Sequence, residues 1–219
     1  MRIRELILQT HRLEELAAFY GQVLELPVQL EPDRLSVSCG ISLLTFLPVD
    51  AAAYYHFAFN IPPGQIEEAQ RWLQEHDLEI LHEGDRLITE FPNWNARSLY
   101  FPDPAGNVLE FIARRDLGLS PVQPFAPQTA VRSISEIGLP VPDVPAAARQ
   151  LEQAGIPPYW GSGSTFRALG GPEGLLILVD DSDKTWYPTP VPARPFPAEV
   201  RGDSPRIELR QGALFVAFD

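Results

Sequence analysis

An internal repeat limits the possible folds of this chain more than any other feature of its sequence. Three segments share one pattern, in which a strand opened by an ionisable residue is followed by a loop and an amphipathic helix, and they span residues 5–20, 56–73 and 136–151. The second and fourth positions of each strand are apolar. Because side chains alternate along a strand, each leading ionisable residue should point to the face opposite the apolar pair.

Further strand patterns follow the helices and complete a βαβββ unit. They are separated by tight turns such as residues 103–107 (DPAGN). Two such units fill residues 1–116, and a third begins near residue 132. Repetition of one supersecondary unit indicates that the copies bury their apolar faces together. We therefore predict an α+β fold in which repeated βαβββ modules form a curved mixed sheet.

Proline-rich stretches mark the boundaries between these regions. Residues 120–127 (SPVQPFAP) and 188–205 are expected to lie outside sheets, because proline lacks the backbone donor that a strand needs. Residues 206–218 are expected to form a β-hairpin with Gln211 and Gly212 at its turn, as the remnant of a fourth unit that lacks a helix. The predicted organisation is a two-module domain at 1–116, a linker at 117–131, and a third module with C-terminal strands at 132–219.

Charge and composition narrow the range of partners. The formal net charge is -12, so an electrostatic attraction to nucleic acid or to an anionic membrane is not expected. The one cysteine, Cys39, cannot form an internal disulfide. The sequence begins with a strand-like pattern and contains no long apolar run, so we expect neither a signal peptide nor a membrane-spanning segment. We expect a soluble cytoplasmic protein that binds a small molecule.

Three ionisable residues occupy positions where they could meet. Glu5 opens the first repeat, His56 opens the second, and Glu110 lies in the last strand of the second. Two βαβββ units related by a pseudo-twofold axis would bring these positions together inside the curved sheet. One histidine and two carboxylates suit Fe²⁺, Mn²⁺, Zn²⁺ or Ni²⁺. The sequence thus predicts a cavity with one divalent metal ion.

Several motifs resemble the vicinal-oxygen-chelate superfamily, which includes glyoxalase I, bleomycin-resistance proteins and extradiol dioxygenases. The resemblance is carried by residues 13–28 (LEELAAFYGQVLELPV), 55–62 (YHFAFNIP) and 100–114 (YFPDPAGNVLEFIAR). Residues 135–144 and 174–189 also resemble a subgroup of uncharacterised bacterial proteins that have an added C-terminal portion. The resemblance implies metal ligands at Glu5, His56 and Glu110. Homodimers are frequent in the superfamily, and the third module could replace such a partner within one chain.

The resemblance also implies a class of function. Iron dioxygenases of the superfamily usually have histidine where this chain has Glu5, which favours isomerase, lyase or epimerase chemistry over oxygen activation. Glu5 or Glu110 would then act as the general base. A ring-cleaving dioxygenase is the alternative within the enzyme class. A metal-free protein that binds a drug or metabolite is the alternative outside it.

Other residues were assigned to the cavity or to packing. Trp94 and Asn95 are predicted to contact the substrate, since an aromatic ring and an amide suit an aromatic or oxygen-rich ligand; packing against the linker is the alternative. Glu136 leads the third repeat, but its predicted counterpart of Glu110 in the last strand, Leu178, is apolar, so a second metal site is not expected. Glu136 is interpreted as a hydrogen-bonded carboxylate at the end of a strand, with a position at the border of the cavity as the alternative. The aromatic residues of the C-terminal region are expected to serve packing, with closure of the cavity as the alternative; they are Trp160, Trp186 and Tyr187.

Overall fold

The computed structural model describes residues 1–203 and 205–218. Each of the three predicted repeats folds as a strand, a helix and three further strands. The first module comprises β1 (Ile3–Thr10), α1 (Leu13–Ala18) with a π-helical continuation (Phe19–Val23), β2 (Val28–Glu31), β3 (Arg34–Cys39) and β4 (Ser42–Pro48). The second comprises β5 (His56–Ile61), a 3-10 turn (Pro63–Gln65), α2 (Ile66–Glu75), β6 (Thr89–Phe91), a second 3-10 turn (Pro92–Trp94), β7 (Ala96–Pro102) and β8 (Val108–Arg114).

The remaining elements form the third module and a C-terminal extension. A 3-10 turn (Arg115–Leu117) and the short helix α3 (Pro127–Ala130) lie between the second and third modules. The third module comprises β9 (Ser133–Val141), α4 (Val144–Gln153), β10 (Pro158–Trp160), β11 (Phe166–Gly171) and β12 (Gly174–Asp180). The extension comprises β13 (Ala198–Gly202), β14 (Arg206–Arg210) and β15 (Ala213–Ala217). The predicted α+β class and the βαβββ repeat are confirmed.

The apolar positions predicted from the repeat form the core. Leu6, Leu8, Phe57, Phe59, Ile137 and Leu139 are all buried in one apolar cluster. Helix α2 packs the predicted apolar stripe inward, with Ile66, Ala69 and Leu73 buried. This burial fixes the register of each opening strand, since a shift by one residue would turn the apolar side chains to the other face. The leading ionisable residues are therefore directed away from the helices.

Modules associate through their opening strands, and the order differs from the one expected. The sheet runs β15-β14-β13-β1-β9-β5-β8-β7-β6. Strand β9 lies between β1 and β5, pairing antiparallel with β5 over several residues and with β1 through Ile3 and Ile134. The second module therefore associates with the third, and the first associates with the C-terminal extension through β13.

The C-terminal region confirms one prediction and corrects another. Strands β14 and β15 form the expected hairpin, and Gln211 and Gly212 at its turn have φ values of 50° and 78°. Positive φ at both central residues is typical of a type I′ turn. The expectation that all of residues 188–205 lie outside sheets is wrong, because β13 forms within this stretch. The strand itself contains no proline, so every backbone donor needed for pairing with β1 is present.

None of the helices in the described ranges is long and apolar enough to cross a membrane.

Candidate metal centre

Three neighbouring strands of the second and third modules bring three ionisable side chains together. Ala58 of β5 pairs with Glu110 of β8 on one side and with Glu136 of β9 on the other. His56 lies two residues before Ala58 and so shares its face of the sheet. The small side chain of Ala58 leaves space between its two neighbours. One ligand atom from each of His56, Glu110 and Glu136 lies within 4.8 Å of the others.

The hydrogen bonds of His56 orient its ring toward the two carboxylates. Its Nδ1 lies 2.9 Å from the carbonyl oxygen of Val108. Since a carbonyl only accepts, Nδ1 carries the proton, and Nε2 of the neutral ring presents a lone pair. That Nε2 atom lies 3.4 Å from Oε2 of Glu110. Two acceptors so close repel each other unless a proton or a metal ion lies between them.

The buried carboxylate of Glu110 is incompletely satisfied. Its side chain is 1% exposed, and Oε1 has no hydrogen-bond partner among the described residues. A buried oxygen with negative charge and no partner is costly, and a cation in contact with it would remove that cost. The donor set, the burial and this orphaned oxygen together fit a divalent metal ion held by His56, Glu110 and Glu136.

The pKa values of the group reflect its burial and its crowding of charge. Burial alone lowers the pKa of His56, but the hydrogen bond to Glu110 and the charges of Glu110 and Glu136 raise it overall. Burial raises the pKa of Glu136, and so does the charge of Glu110, although Arg114 and His56 oppose the shift. In the absence of a metal ion, the group therefore retains protons more readily than these side chains do in water.

Arg114 is a buried cation that holds one of the three residues in place. It follows Glu110 by four positions on the same face of β8, and its side chain is 0% exposed. Its Nη2 donates to Oε2 of Glu136 at 2.7 Å, and its Nε donates to Oγ of Ser135 at 3.2 Å. The guanidinium carbon lies 5.2 Å from the ring centroid of Trp94. Because the ion pair uses Oε2, Glu136 can be held by Arg114 through one oxygen and ligate through the other.

A cavity of about 490 Å³ opens in front of the three residues. Most of its wall is aromatic or aliphatic, and three of the four tryptophans of the chain contribute to it. The apolar lining residues are Phe91, Trp94, Tyr100, Trp160, Phe166, Ile177, Val179, Trp186 and Tyr187. The ring centroid of Trp186 lies 5.7 Å from that of His56. Such a wall offers flat apolar surfaces to a ligand, and a ligand that covers them would shield the polar floor from water.

A glycine makes room for the tryptophan beside His56. A Cβ atom built on Gly138 of β9 would lie 2.5 Å from two ring atoms of Trp186. No larger residue fits at this position without moving the ring. The packing of the C-terminal region against β9 thus depends on Gly138.

The structure does not bring Glu5 into the site. Its Oε2 accepts from Nη1 of Arg201 at 2.9 Å, and its Oε1 accepts from Oγ1 of Thr45 at 3.1 Å. The prediction of Glu5 as ligand and base is corrected, because β9 separates β1 from β5 and places Glu136 beside the second module. His56 and Glu110 do come together as predicted.

The signal that could have identified Glu136 was present in the repeat. Glu136 leads the third repeat as His56 leads the second, but the predicted counterpart of Glu110 in the third module, Leu178, is apolar. The register of β12 with β9 pairs Ile177 with Gly138, as Glu110 pairs with Ala58. The true counterpart of Glu110 is therefore Ile177, which lines the cavity without offering a ligand atom.

The predicted substrate-binding pair is divided between two environments. Trp94 lines the cavity, as predicted. Asn95 has a left-handed backbone with φ of 47°, and its Nδ2 donates to Oδ1 of Asp116 at 2.6 Å. It does not contribute to the cavity wall, so its predicted role is corrected. The three aromatic residues expected to serve packing, Trp160, Trp186 and Tyr187, line the cavity.

Comparisons with known proteins give a match in structure and none in sequence. No protein-family model matches the chain, and no curated protein matches it. A "putative dioxygenase" from Bacillus subtilis subsp. subtilis str. 168 superposes with a TM-score of 0.60 at 17% identity, over 82% of this chain and 63% of that chain. This chain thus spans less than two thirds of the length of that protein.

Shorter proteins match about half of the chain. A lactoylglutathione lyase from Agrobacterium tumefaciens is 23% identical over 53% of this chain and 96% of that chain, with a TM-score of 0.45. A glyoxalase/bleomycin resistance protein/dioxygenase from Nocardioides is 23% identical over 58% of this chain and 87% of that chain, with a TM-score of 0.42. The three βαβββ modules and the likeness to the Bacillus structure over most of the chain show that this protein has the fold of the vicinal-oxygen-chelate superfamily.

Proposed function

We propose that the protein is a metal-dependent enzyme of the glyoxalase/dioxygenase type, which holds one divalent ion with His56, Glu110 and Glu136 and acts on a small oxygen-bearing substrate. The observation that carries this proposal is the convergence of ligand atoms from the half-buried His56 and the buried Glu110 and Glu136, together with the Oε1 atom of Glu110 that has no partner among the described residues. An imidazole with two carboxylates suits Fe²⁺, Mn²⁺, Zn²⁺ or Ni²⁺. When bound, the ion would act as a Lewis acid on substrate oxygen atoms.

The residues around the ligands prepare the site for this chemistry. In the neutral ring of His56, the carbonyl of Val108 holds the proton on Nδ1 and leaves Nε2 as the ligand atom, and Arg114 fixes the carboxylate of Glu136. The aliphatic side chain of Ile177 occupies the fourth equivalent position and supplies no ligand, so substrate oxygens can reach the ion from the cavity. Burial raises the pKa of Tyr100 well above its ordinary value, so its phenol remains protonated at neutral pH and can donate to a substrate oxygen.

Glu110 is the best-placed general base. Its Oε1 has no hydrogen-bond partner among the described residues, whereas Glu136 is held by Arg114. A proton taken by Glu110 from a carbon beside a substrate carbonyl could be returned to a neighbouring atom, as an isomerase requires. Two carboxylates and one imidazole make a harder and more anionic donor set than two imidazoles and one carboxylate, which favours isomerase or lyase chemistry over oxygen activation.

Metal analysis of purified protein tests the proposal. We expect about one transition-metal ion per chain in the wild type after reconstitution, and its loss in His56→Ala and Glu136→Gln. Glu5→Gln is the matched control, because Glu5 also leads a module but pairs with Arg201, and its metal content should equal that of the wild type. Circular dichroism would establish that each variant is folded.

Two results would contradict the proposal. Folded wild-type protein that takes up none of Fe²⁺, Mn²⁺, Ni²⁺ and Zn²⁺ has no such site, and equal loss of metal in Glu5→Gln would place the site elsewhere. Oxygen consumption with catechols by the Fe²⁺-loaded protein would change the assigned reaction from isomerase or lyase to ring-cleaving dioxygenase.

A metal-free binding protein is the second candidate, and one observation favours it. The ion pairs Glu136–Arg114 and Glu110–His56 already give each carboxylate a charged neighbour. Binding of aromatic compounds that is unchanged by removal of metal with a chelator would support this candidate. Binding that requires the reconstituted ion would exclude it.

A further inference from the structure

The sequence contains one lysine, Lys184, and it lies at the wall of the cavity. It belongs to the segment after β12, and its carbonyl accepts from the backbone N–H of Ala193 at 2.8 Å. Its side chain is exposed and forms no ion pair with any residue in the described ranges. The other side chains of the Lys/Arg class are all arginines, so Lys184 carries the one side-chain ammonium group of the sequence. The charge of Lys184 contributes, after two hydrogen bonds from Ser182, to lowering the pKa of the nearby Asp180 carboxyl. A cation at the cavity wall gives an anionic ligand a local partner in a chain whose net charge of -12 otherwise repels anions.

The floor of the cavity would also accept negative charge once a divalent ion is bound. Glu110 and Glu136 supply two negative charges, and Arg114 supplies one positive charge. A divalent ion would leave the floor with a net positive charge when His56 is neutral. Glu90 is the further acidic residue in the wall, and Arg97 lies 4.0 Å from it. Cationic groups thus lie both at the floor and at Lys184.

The wall between these two points favours a flat ligand. Trp94 lies 6.2 Å from Trp160 and 6.5 Å from Phe166 between ring centroids. Trp160 is 44% exposed and Tyr187 is 40% exposed, although both line the cavity. Exposed aromatic rings around a cavity gain free energy when a planar apolar group covers them.

We propose that the ligand of this site is an aromatic or otherwise flat conjugated organic acid, whose carboxylate pairs with Lys184 while its vicinal oxygens face His56, Glu110 and Glu136. The inference rests on the proposed function, because the metal ion makes the floor attractive to the oxygen end of the ligand. The rings of Trp94, Trp160 and Phe166 cover the planar part. Recognition of the acid by one residue outside the metal centre can be tested separately from metal binding.

The test uses matched probes that differ only in the distant charge. The probes are 3,4-dihydroxybenzoate, 3,4-dihydroxyphenylacetate and 3-(3,4-dihydroxyphenyl)propanoate, each paired with its methyl ester, so that the spacer between ring and acid varies. Binding to reconstituted protein is followed by tryptophan fluorescence, in the wild type, Lys184→Gln and Lys184→Arg. Metal content is measured on the same samples. We expect at least one acid to bind roughly three- to tenfold more tightly than its ester, as for an ion pair at a partly exposed site.

The preference for the acid should disappear in Lys184→Gln and persist in Lys184→Arg, with unchanged metal content in both. The single lysine gives an independent readout. Reductive methylation with ¹³C-formaldehyde labels Lys184 and the α-amino group, and the acid should shift the dimethyl-lysine resonance while the α-amino resonance stays in place.

Each other outcome overturns the inference. Lys184 does not recognise a carboxylate if none of the three acids binds more tightly than its ester. The same conclusion follows if the preference for the acid survives in Lys184→Gln. Metal-loaded wild type that binds none of the probes would remove the aromatic acid as ligand while leaving the proposed metal centre intact. Absence of metal in the same samples would instead be the failure of the proposed function.

Discussion

At the scale of single residues, Arg114 has the greatest influence on the candidate site without being one of its ligands. It is fully buried, contacts the ring of Trp94 and donates to Glu136. A buried ion pair adds little net stability compared with an apolar pair, but loss of one partner leaves the other charge uncompensated. The residue therefore sets both the position of Glu136 and the cost of keeping a carboxylate there.

Replacement of Arg114 by methionine should lower the free energy of unfolding by about 3 kcal/mol, because Glu136 would remain buried without its cation. The double variant Arg114→Met/Glu136→Gln should lose less than the sum of the two single variants, since the two residues are in direct contact. Urea denaturation of the four proteins measures this difference. Additive losses would mean that the ion pair does not determine the stability of Glu136.

At the scale of secondary-structure elements, β9 organises the site. It pairs with β5 and carries Glu136 and Gly138 on one face. The ring of Trp186 occupies the space that a side chain at position 138 would fill. The position of Trp186 over the cavity is therefore determined by a strand of another part of the chain. A change at Gly138 should affect the cavity more than the sheet.

Gly138→Ala should displace the ring of Trp186, since the added Cβ would lie 2.5 Å from it. We expect a loss of about 1–3 kcal/mol in the free energy of unfolding, as for other overpacked sites, with a red shift of tryptophan emission. Gly171→Ala is the matched control in β11, where an added Cβ would meet no atom within 4 Å. Equal effects of the two substitutions would contradict the proposed role of Gly138.

Local patterns in the sequence predicted the elements well and their association poorly. The period-two alternation at Leu6, Phe57 and Ile137 predicted the buried faces, because burial of every second residue is a property of one strand. The pairing of the opening strands depends on residues far apart in the sequence, and the periodicity within one segment does not predict it. The first and second modules were therefore expected to share a cavity, whereas β9 lies between them and Glu136 takes the place assigned to Glu5.

Part of the missed information was nevertheless present in short motifs. Glu110 and Arg114 are four residues apart in one strand, so they had to lie on the same face. A carboxylate and a guanidinium on one strand face indicate a buried charged group more clearly than either residue does alone. The partner of Arg114 could not be found in this way, because Glu136 reaches it from another module.

At the scale of the whole molecule, one chain supplies all three candidate ligands. His56 and Glu110 belong to the second module and Glu136 to the third, and β5 pairs directly with β9. The association of two modules within one chain places the site in the interior of a protomer. The proposed metal centre would then be complete without a second chain.

The ratio of metal to chain should therefore be independent of protein concentration. We expect about one ion per chain across a hundredfold dilution, measured by size-exclusion chromatography with light scattering and in-line metal detection. A homodimer, if it forms, should lose no metal when it dissociates. Release of metal together with dissociation would show that a partner chain contributes to the centre.

The first module with the C-terminal extension and the second module with the third form two halves of the sheet, and they treat the leading ionisable residue differently. Glu5, like His56 and Glu136, opens a module and faces the fourth strand of its own unit, but its charge is neutralised by Arg201 across the neighbouring strand β13. If the first module and the C-terminal extension act only as a scaffold, their inward-facing residues should tolerate substitution as long as strand register is kept. Under the proposed function, the reaction is confined to the half of the sheet that holds His56, Glu110 and Glu136, and the first half contributes stability alone.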